Sequence, residues 1–167
     1  MNASKINIRR FTAGDETSVK SLIKEIMAHE FNDDQGAYPT EDIEEVERSY
    51  GGLGEAFFVA EDNSQIVGTV AIKKEDDRVA LLRRLFVAAD YRKRKIGLEL
   101  VDHALEFCHE VGYEEIIFRT TSRMQAAIKL CQKCGFIPRA KLKLGPIELL
   151  KFALSIRDGR KTAKSRS

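Results

Sequence analysis

Hydrophobic positions change period along this chain, and the changes divide it into elements. Ile6 to Phe11 (INIRRF) reads as a short strand; beyond it Val19, Leu22, Ile23 and Ile26 recur at helical spacing behind Asp15, a candidate N-cap. FNDDQGAYPT (Phe31 to Thr40) breaks this helix with Gly36 and Pro39, and TEDIEEVERSY restarts a short acidic helix capped by Thr40. After the glycine-rich GGLGE, the runs AFFVAE and IVGTVAIKK predict a hairpin turning at DNSQ. VALLRRLFV (Val79 to Val87) adds a third strand after the charged turn EDDR. From Gly97 the helical period returns, with Leu100, Val101, Ala104, Leu105 and Cys108 on one stripe and Gly112 at the C-cap. EEIIFRTT predicts a strand, MQAAIKLCQKC a helix closed by Gly135, and GFIPRAKLKLG and IELLKFALSI the last two strands. The order β α α β β β α β α β β predicts an α+β fold. Its sheet is mixed but mostly antiparallel, with three antiparallel strands feeding a β-α-β unit and helices on both faces.

Composition narrows the class. At 167 residues the chain is one ordinary domain, able to build a core without metals or disulfides. We assign 1–156 to that domain and 157–167 (RDGRKTAKSRS) to a basic, solvated tail. A formal net charge of +2 argues against a nucleic-acid binder held by diffuse positive charge. No run approaches the roughly 20 apolar residues of a membrane span. The opening MNASKINIRRF lacks a signal-peptide core, so the expectation is a cytoplasmic protein with no membrane partner. Three cysteines, Cys108, Cys131 and Cys134, make no disulfide framework, and the single CxxC in CQKC is weak ground for a metal. His103 and His109 fall off the apolar stripe and read as solvent-facing.

One stretch resists a purely structural account. DYRKRKIG (Asp90 to Gly97) puts Arg92, Lys93, Arg94 and Lys95 at the head of a helix, where the macrodipole already supplies about half a positive charge. An anion reverses that penalty: backbone N–H groups at a helix mouth bind phosphate, four cations neutralise it, and Gly97 allows close approach. A solvated basic loop, or one that tracks a nucleic-acid backbone, is the competing reading.

LRRLFVAADYRKRKIGLELV, followed by GYEEIIFRTT and AAIKLCQKCGF, resembles the GNAT N-acetyltransferase superfamily, and the opening and the first hairpin look family-like as well. The resemblance implies the GNAT-like acyl-CoA N-acyltransferase fold, acetyl-CoA as co-substrate, and no metal. It implies that Arg92, Lys93, Arg94, Lys95, Ile96, Gly97 and Leu98 hold the pyrophosphate, in the place of the family pattern R/Q-x-x-G-x-G/A. It implies that the backbone of Leu85, Phe86 and Val87 pairs with the pantetheine arm. Ala127, Leu130, Gly135 and Phe136 match the segment beside the thioester, and Ala127 is counted with the cofactor-binding residues.

Three positions depart from the pattern. Lys95 stands at the first loop glycine and Leu81 at the strand position where many relatives carry a general-base Glu. Cys131 stands where relatives have the Tyr that protonates the departing thiolate, which makes it the candidate catalytic residue. Its place on one stripe with Ala127, Leu130 and Cys134 is equally that of a core cysteine, the reading we favour. The implied reaction is direct transfer of acetyl to an amine of a small molecule or protein, with a carboxylate such as Glu55 or Glu61, or water, taking the proton. The acidic run Ala28 to Glu47 would attract a cationic amine, or simply be a solvated face. The alternative function is a non-catalytic CoA or acyl-CoA binding domain. No nucleic-acid partner is expected, and a homodimer is left open.

Overall fold

The computed structural model describes residues 6–31 and 40–156. The elements are β1 (Ile6–Arg10), α1 (Glu16–Glu30), α2 (Glu41–Glu44), α3 (Val46–Tyr50), β2 (Ala56–Asp62), β3 (Gln65–Lys74), β4 (Val79–Val87), α4 (Ile96–Val111), β5 (Glu115–Thr121), α5 (Gln125–Lys133), β6 (Ile137–Leu144) and β7 (Ile147–Ser155). The seven strands form one sheet in the order β1-β2-β3-β4-β5-β7-β6. Only β4 and β5 run parallel, because α4 carries the chain back across the sheet between them. The mixed, mostly antiparallel sheet with helices on both faces is thus the architecture the hydrophobic pattern predicts.

Two apolar layers hold it. On one face Leu100, Val101, Ala104, Leu105 and Cys108 of α4 pack with Phe58, Val70, Ile72 and Leu82, together with Ile128 and Cys131 of α5. Gly68 sets the closeness of this layer, since a Cβ there would lie 2.9 Å from Leu100 Cδ1 and 3.1 Å from the Phe86 carbonyl oxygen. On the other face Val19, Ile23, Ile26 and Met27 of α1, with Ile43, Val46 and Tyr50, cover Phe57, Val59 and Ala71.

Local chemistry departs from the sequence reading at two caps. Asp15 is not a side-chain cap of α1: its carboxylate accepts the Thr12 N–H at 2.9 Å and takes the Arg9 guanidinium at 2.8 and 2.9 Å. Thr40 caps through its backbone oxygen, and the acidic helix behind it divides at Glu45, whose φ of −142° is not helical. The division lets Asp42 turn inward while Ile43 and Val46 are both buried. The chain break around Gly36 and Pro39, and the basic tail, lie outside the described residues. Among the described residues no helix is long and apolar enough to cross a membrane.

Candidate active site

Strands β4 and β5 pair only from Val79 opposite Glu115 to Leu82 opposite Phe118. Beyond that point they part, and the edge of β4 that faced β5 is left without its ladder. A bulge marks the parting. Thr69 opposes Phe86 and Ala71 opposes Arg83, so β4 has an extra residue there, and Arg84 lies at φ 55° with its carbonyl bonded to the Thr69 hydroxyl at 2.7 Å. A left-handed arginine in a strand is uncommon and needs anchoring. Asp42 supplies it: its carboxylate accepts both the Nε and a terminal nitrogen of Arg84 and the hydroxyl of Tyr50, with Arg83 at 3.9 Å. Burial pushes the Asp42 carboxyl up, but the Arg84 and Tyr50 hydrogen bonds overcome it and hold its pKa below the usual range.

The parting opens a cavity of about 660 Å³ between the strands, lined by Leu81 to Phe86 of β4, Ile117 to Thr121 of β5, Met124, and parts of the β6–β7 hairpin. Leu85 and Phe86 are in its wall. Val87 lies just past it, where its carbonyl takes the Arg92 Nε at 2.9 Å and ties the strand end to the loop beyond.

That loop is shaped as well as charged. Lys93 and Lys95 both have φ 65°, Lys95 directly preceding α4. Backbone that alternates into the left-handed region turns successive N–H groups toward one concavity, the geometry of an anion nest. Among the described residues the N–H groups of Lys93, Arg94 and Lys95 make no backbone hydrogen bond. Those of Ile96, Gly97 and Leu98 have no intrahelical acceptor. The residues therefore fit a pyrophosphate by backbone donors as well as by charge. The conformation also accounts for the family's glycine at position 95, since φ 65° suits glycine and costs lysine. Gly97 has a second reason to lack a side chain: a Cβ would come within 2.8 Å of Leu130 Cδ2, where α4 and α5 touch. The four cations are not equivalent. Arg92 forms a two-pronged pair with Glu30 at 2.8 and 2.9 Å, Arg94 stacks on Tyr91 with 4.8 Å to the ring centroid, and Lys93 and Lys95 are exposed.

The remaining sequence candidates fall elsewhere. Cys131 has no exposed surface, and burial raises its thiol pKa; it faces the α4 layer and does not line the cavity. Ala127 is half-buried and packs against both apolar layers, and it is not among the residues that line the cavity. Glu61 pairs with Arg9 at 3.1 Å, and Glu55 takes the Gly52 and Lys74 N–H groups and the Lys73 ammonium, so neither carboxylate faces the cavity. The acids of α2 and α3 are largely engaged: Glu44 with Lys20 and Lys24, Glu45 with Arg48, Asp42 with Arg84. Among the described residues the charged side chains that line the cavity are Arg83, Arg84, Arg119, Lys141 and Lys151, with Leu81 at the expected base position. The sequence reading missed this cationic lining; its signal was the pair Arg83-Arg84, which interrupts an otherwise apolar strand.

Known proteins resemble this chain in sequence and in fold. The family model "Acetyltransferase (GNAT) family" matches residues 23–136. "Probable N-acetyltransferase camello" of Xenopus tropicalis is 32% identical over 110 residues, 64% of this chain and 50% of that protein. N-acetyltransferase 8 of Homo sapiens is 33% identical over 101 residues, 57% of this chain and 44% of that protein. The chain thus matches about half the length of these relatives or less. Among solved structures, an acetyltransferase of the GNAT family from Staphylococcus aureus Mu50 superposes with a TM-score of 0.80 at 25% identity, over 91% of this chain and 99% of that one. The structure of yncA from Salmonella typhimurium with its cofactor acetyl-CoA has the same fold, with a TM-score of 0.71 at 16% identity over 92% of this chain and 95% of that one. With its family match running from within α1 through the parted strands and the cationic loop to Phe136, the chain belongs to the acetyltransferase (GNAT) family.

Proposed function

We propose that the chain is an N-acetyltransferase that moves an acetyl group from acetyl-CoA to an amine by direct attack. The observation that carries the proposal is the continuity of the parted β4 and β5 with the nest at the head of α4: the strand that ends at the phosphate donors also walls the half-open cavity. A CoA pyrophosphate fits the N–H groups of residues 93–98 and the cations around them. The pantetheine amides have the open edge of β4 to pair with, as an added strand would.

In the cavity the amine nitrogen attacks the thioester carbonyl carbon. The carbon–sulfur bond then breaks, CoA leaves as thiolate, and the amine's surplus proton departs through water. Backbone N–H groups of β4 beside the bulge are suited to the carbonyl oxygen as negative charge grows on it. Among the described residues that line the cavity there is no carboxylate, histidine, tyrosine or cysteine. The cations there disfavour a charged ammonium and so shift a bound amine toward its reactive neutral form. A cytoplasmic setting is part of the proposal, in keeping with three free thiols.

The test pairs calorimetry with CoA and acetyl-CoA with a thiol-release assay over a panel of amines. Binding together with amine-dependent CoA release supports the proposal. Binding without release by any amine favours the CoA-binding domain instead, and a folded protein that ignores millimolar CoA ends both readings.

A further inference from the structure

We propose, resting on the acetyltransferase reading, that Arg119, Lys151 and Arg83 form an anion subsite for the acceptor, and that the acceptor is an amino carboxylate with an apolar side chain. Arg119 of β5 stands directly opposite Lys151 of β7, and the same cross-strand register puts Leu81, Ile117, Thr121 and Leu149 on their face. Arg83 of β4 joins that face through its pairing with Ala71, which lies under α1. Like charges directly opposed across an antiparallel pair destabilise a sheet. Among the described residues neither Arg119 nor Lys151 has an ion-pair or hydrogen-bond partner, whereas the neighbouring Lys141 and Arg139 pair with Glu148 and Glu115. The two unpaired cations line the cavity on this face together with Arg83, which lies 3.9 Å from Asp42, and Arg119 is the first residue of β5 past the last rung with β4.

An anion between them turns repulsion into two charge-assisted contacts. The surface beside them is apolar: Leu81, Ile117, Leu142 and Leu149 line the same cavity. A ligand that satisfies both has one anionic group and a hydrocarbon body, and to react it must also carry an amine close to the anion. An α-amino acid with an apolar side chain meets all three conditions. A polyamine has amines and a hydrocarbon chain but no anion, and would face cations of its own sign. The acidic run favours a cationic amine, but among the described residues its Glu44, Glu45 and Asp42 are engaged with Lys20, Lys24, Arg48 and Arg84 and the cavity lining is cationic, which favours an acceptor with an anionic group.

The experiment compares L-leucine and L-phenylalanine with isoamylamine and phenethylamine, which lack only the carboxylate, in steady-state CoA release. The native protein should prefer each amino acid by about tenfold or more in kcat/KM, the scale of a lost charge-assisted contact. Arg119→Gln and Lys151→Gln should abolish that preference by raising the acceptor KM about tenfold, with the KM of acetyl-CoA unchanged. Because each change relieves a like-charge contact, neither should lower the melting temperature of the free protein, which checks that the variants fold. Equal rates with and without the carboxylate would overturn the subsite. So would a rise in the acetyl-CoA KM instead, or O-phosphoethanolamine outrunning every amino acid. If no acceptor turns over, calorimetry with N-acetyl-L-leucine in the presence of CoA separates the two ideas: binding that Arg119→Gln weakens keeps the subsite while transfer fails, and no binding ends the subsite.

Discussion

Asp42 ties the acidic helix to the bulge, since one carboxylate answers Arg84, Tyr50 and, at longer range, Arg83. Arg84 is buried, so removing the Asp42 charge weakens the neutralisation of a cation that water hardly reaches. Asp42→Asn should therefore cost about 3–5 kcal/mol in denaturant unfolding, the scale for breaking one side of a buried pair. The same carboxylate predicts an acid limb. Its folded pKa is held below the unfolded one, as is that of Asp15, which Arg9 lowers through its hydrogen bonds. The stability they add is whole above the unfolded carboxylate value of about 4 and is lost as pH falls through the folded values. Unfolding followed by circular dichroism should steepen below that point in the native protein and less so in Asp42→Asn. Lys95 gives the opposite sign. At φ 65° a lysine is strained, and Lys95→Gly should be neutral or raise stability by up to about 1 kcal/mol in thermal melts, relief of the left-handed strain being partly offset by the freer unfolded chain.

At the scale of elements, the head of α4 is held from two sides. Arg92 ties it to α1 through Glu30 and to β4 through the Val87 carbonyl. Releasing the first tie frees a cation next to the nest, so Glu30→Gln should tighten CoA binding in calorimetry, while charge reversal at Arg94 should weaken it and flatten its salt dependence. Helix α5 is a packing element: with Cys131 fully buried, Cys131→Ser should cost about 1–3 kcal/mol of stability for a poorly satisfied hydroxyl yet leave kcat intact. A loss of kcat of about a hundredfold or more in a folded Cys131→Ser protein would restore it as the catalytic acid. These elements also mark what the sequence could carry. The two apolar stripes of α4 and α5 and the apolar runs of the strands are local patterns, so fold class and the order of elements along the chain could be read directly. The left-handed backbone at Lys93 and Lys95 could be sensed only through a motif, because lysine does not announce positive φ as glycine does. The Arg119–Lys151 juxtaposition depends on the register of strands 32 residues apart in sequence, which no local pattern encodes.

For the molecule as a whole, the asymmetry of cover decides the chemistry. Helices α1 to α3 shield the β1–β4 half of one face and leave the continuation of that face, over β5, β7 and β6, as the open wall of the cavity. Among the described residues its lining mixes aliphatic side chains with cations and includes no carboxylate, histidine, tyrosine or cysteine. A bell-shaped pH profile needs both an essential acid and an essential base. With neither present, kcat/KM should rise along a single limb as the acceptor loses its own proton, then level off. The cations move that limb: a like charge disfavours the ammonium, so the bound amine should titrate below its value in free solution, and the apparent pKa of kcat should lie below the amine's own. Measuring the limb for two acceptors of different basicity makes the point sharp. If the midpoint follows the amine from one acceptor to the next, proton loss belongs to the substrate. A midpoint that stays fixed when the amine changes would belong to the protein, and would require a general base on an element other than those that line the cavity.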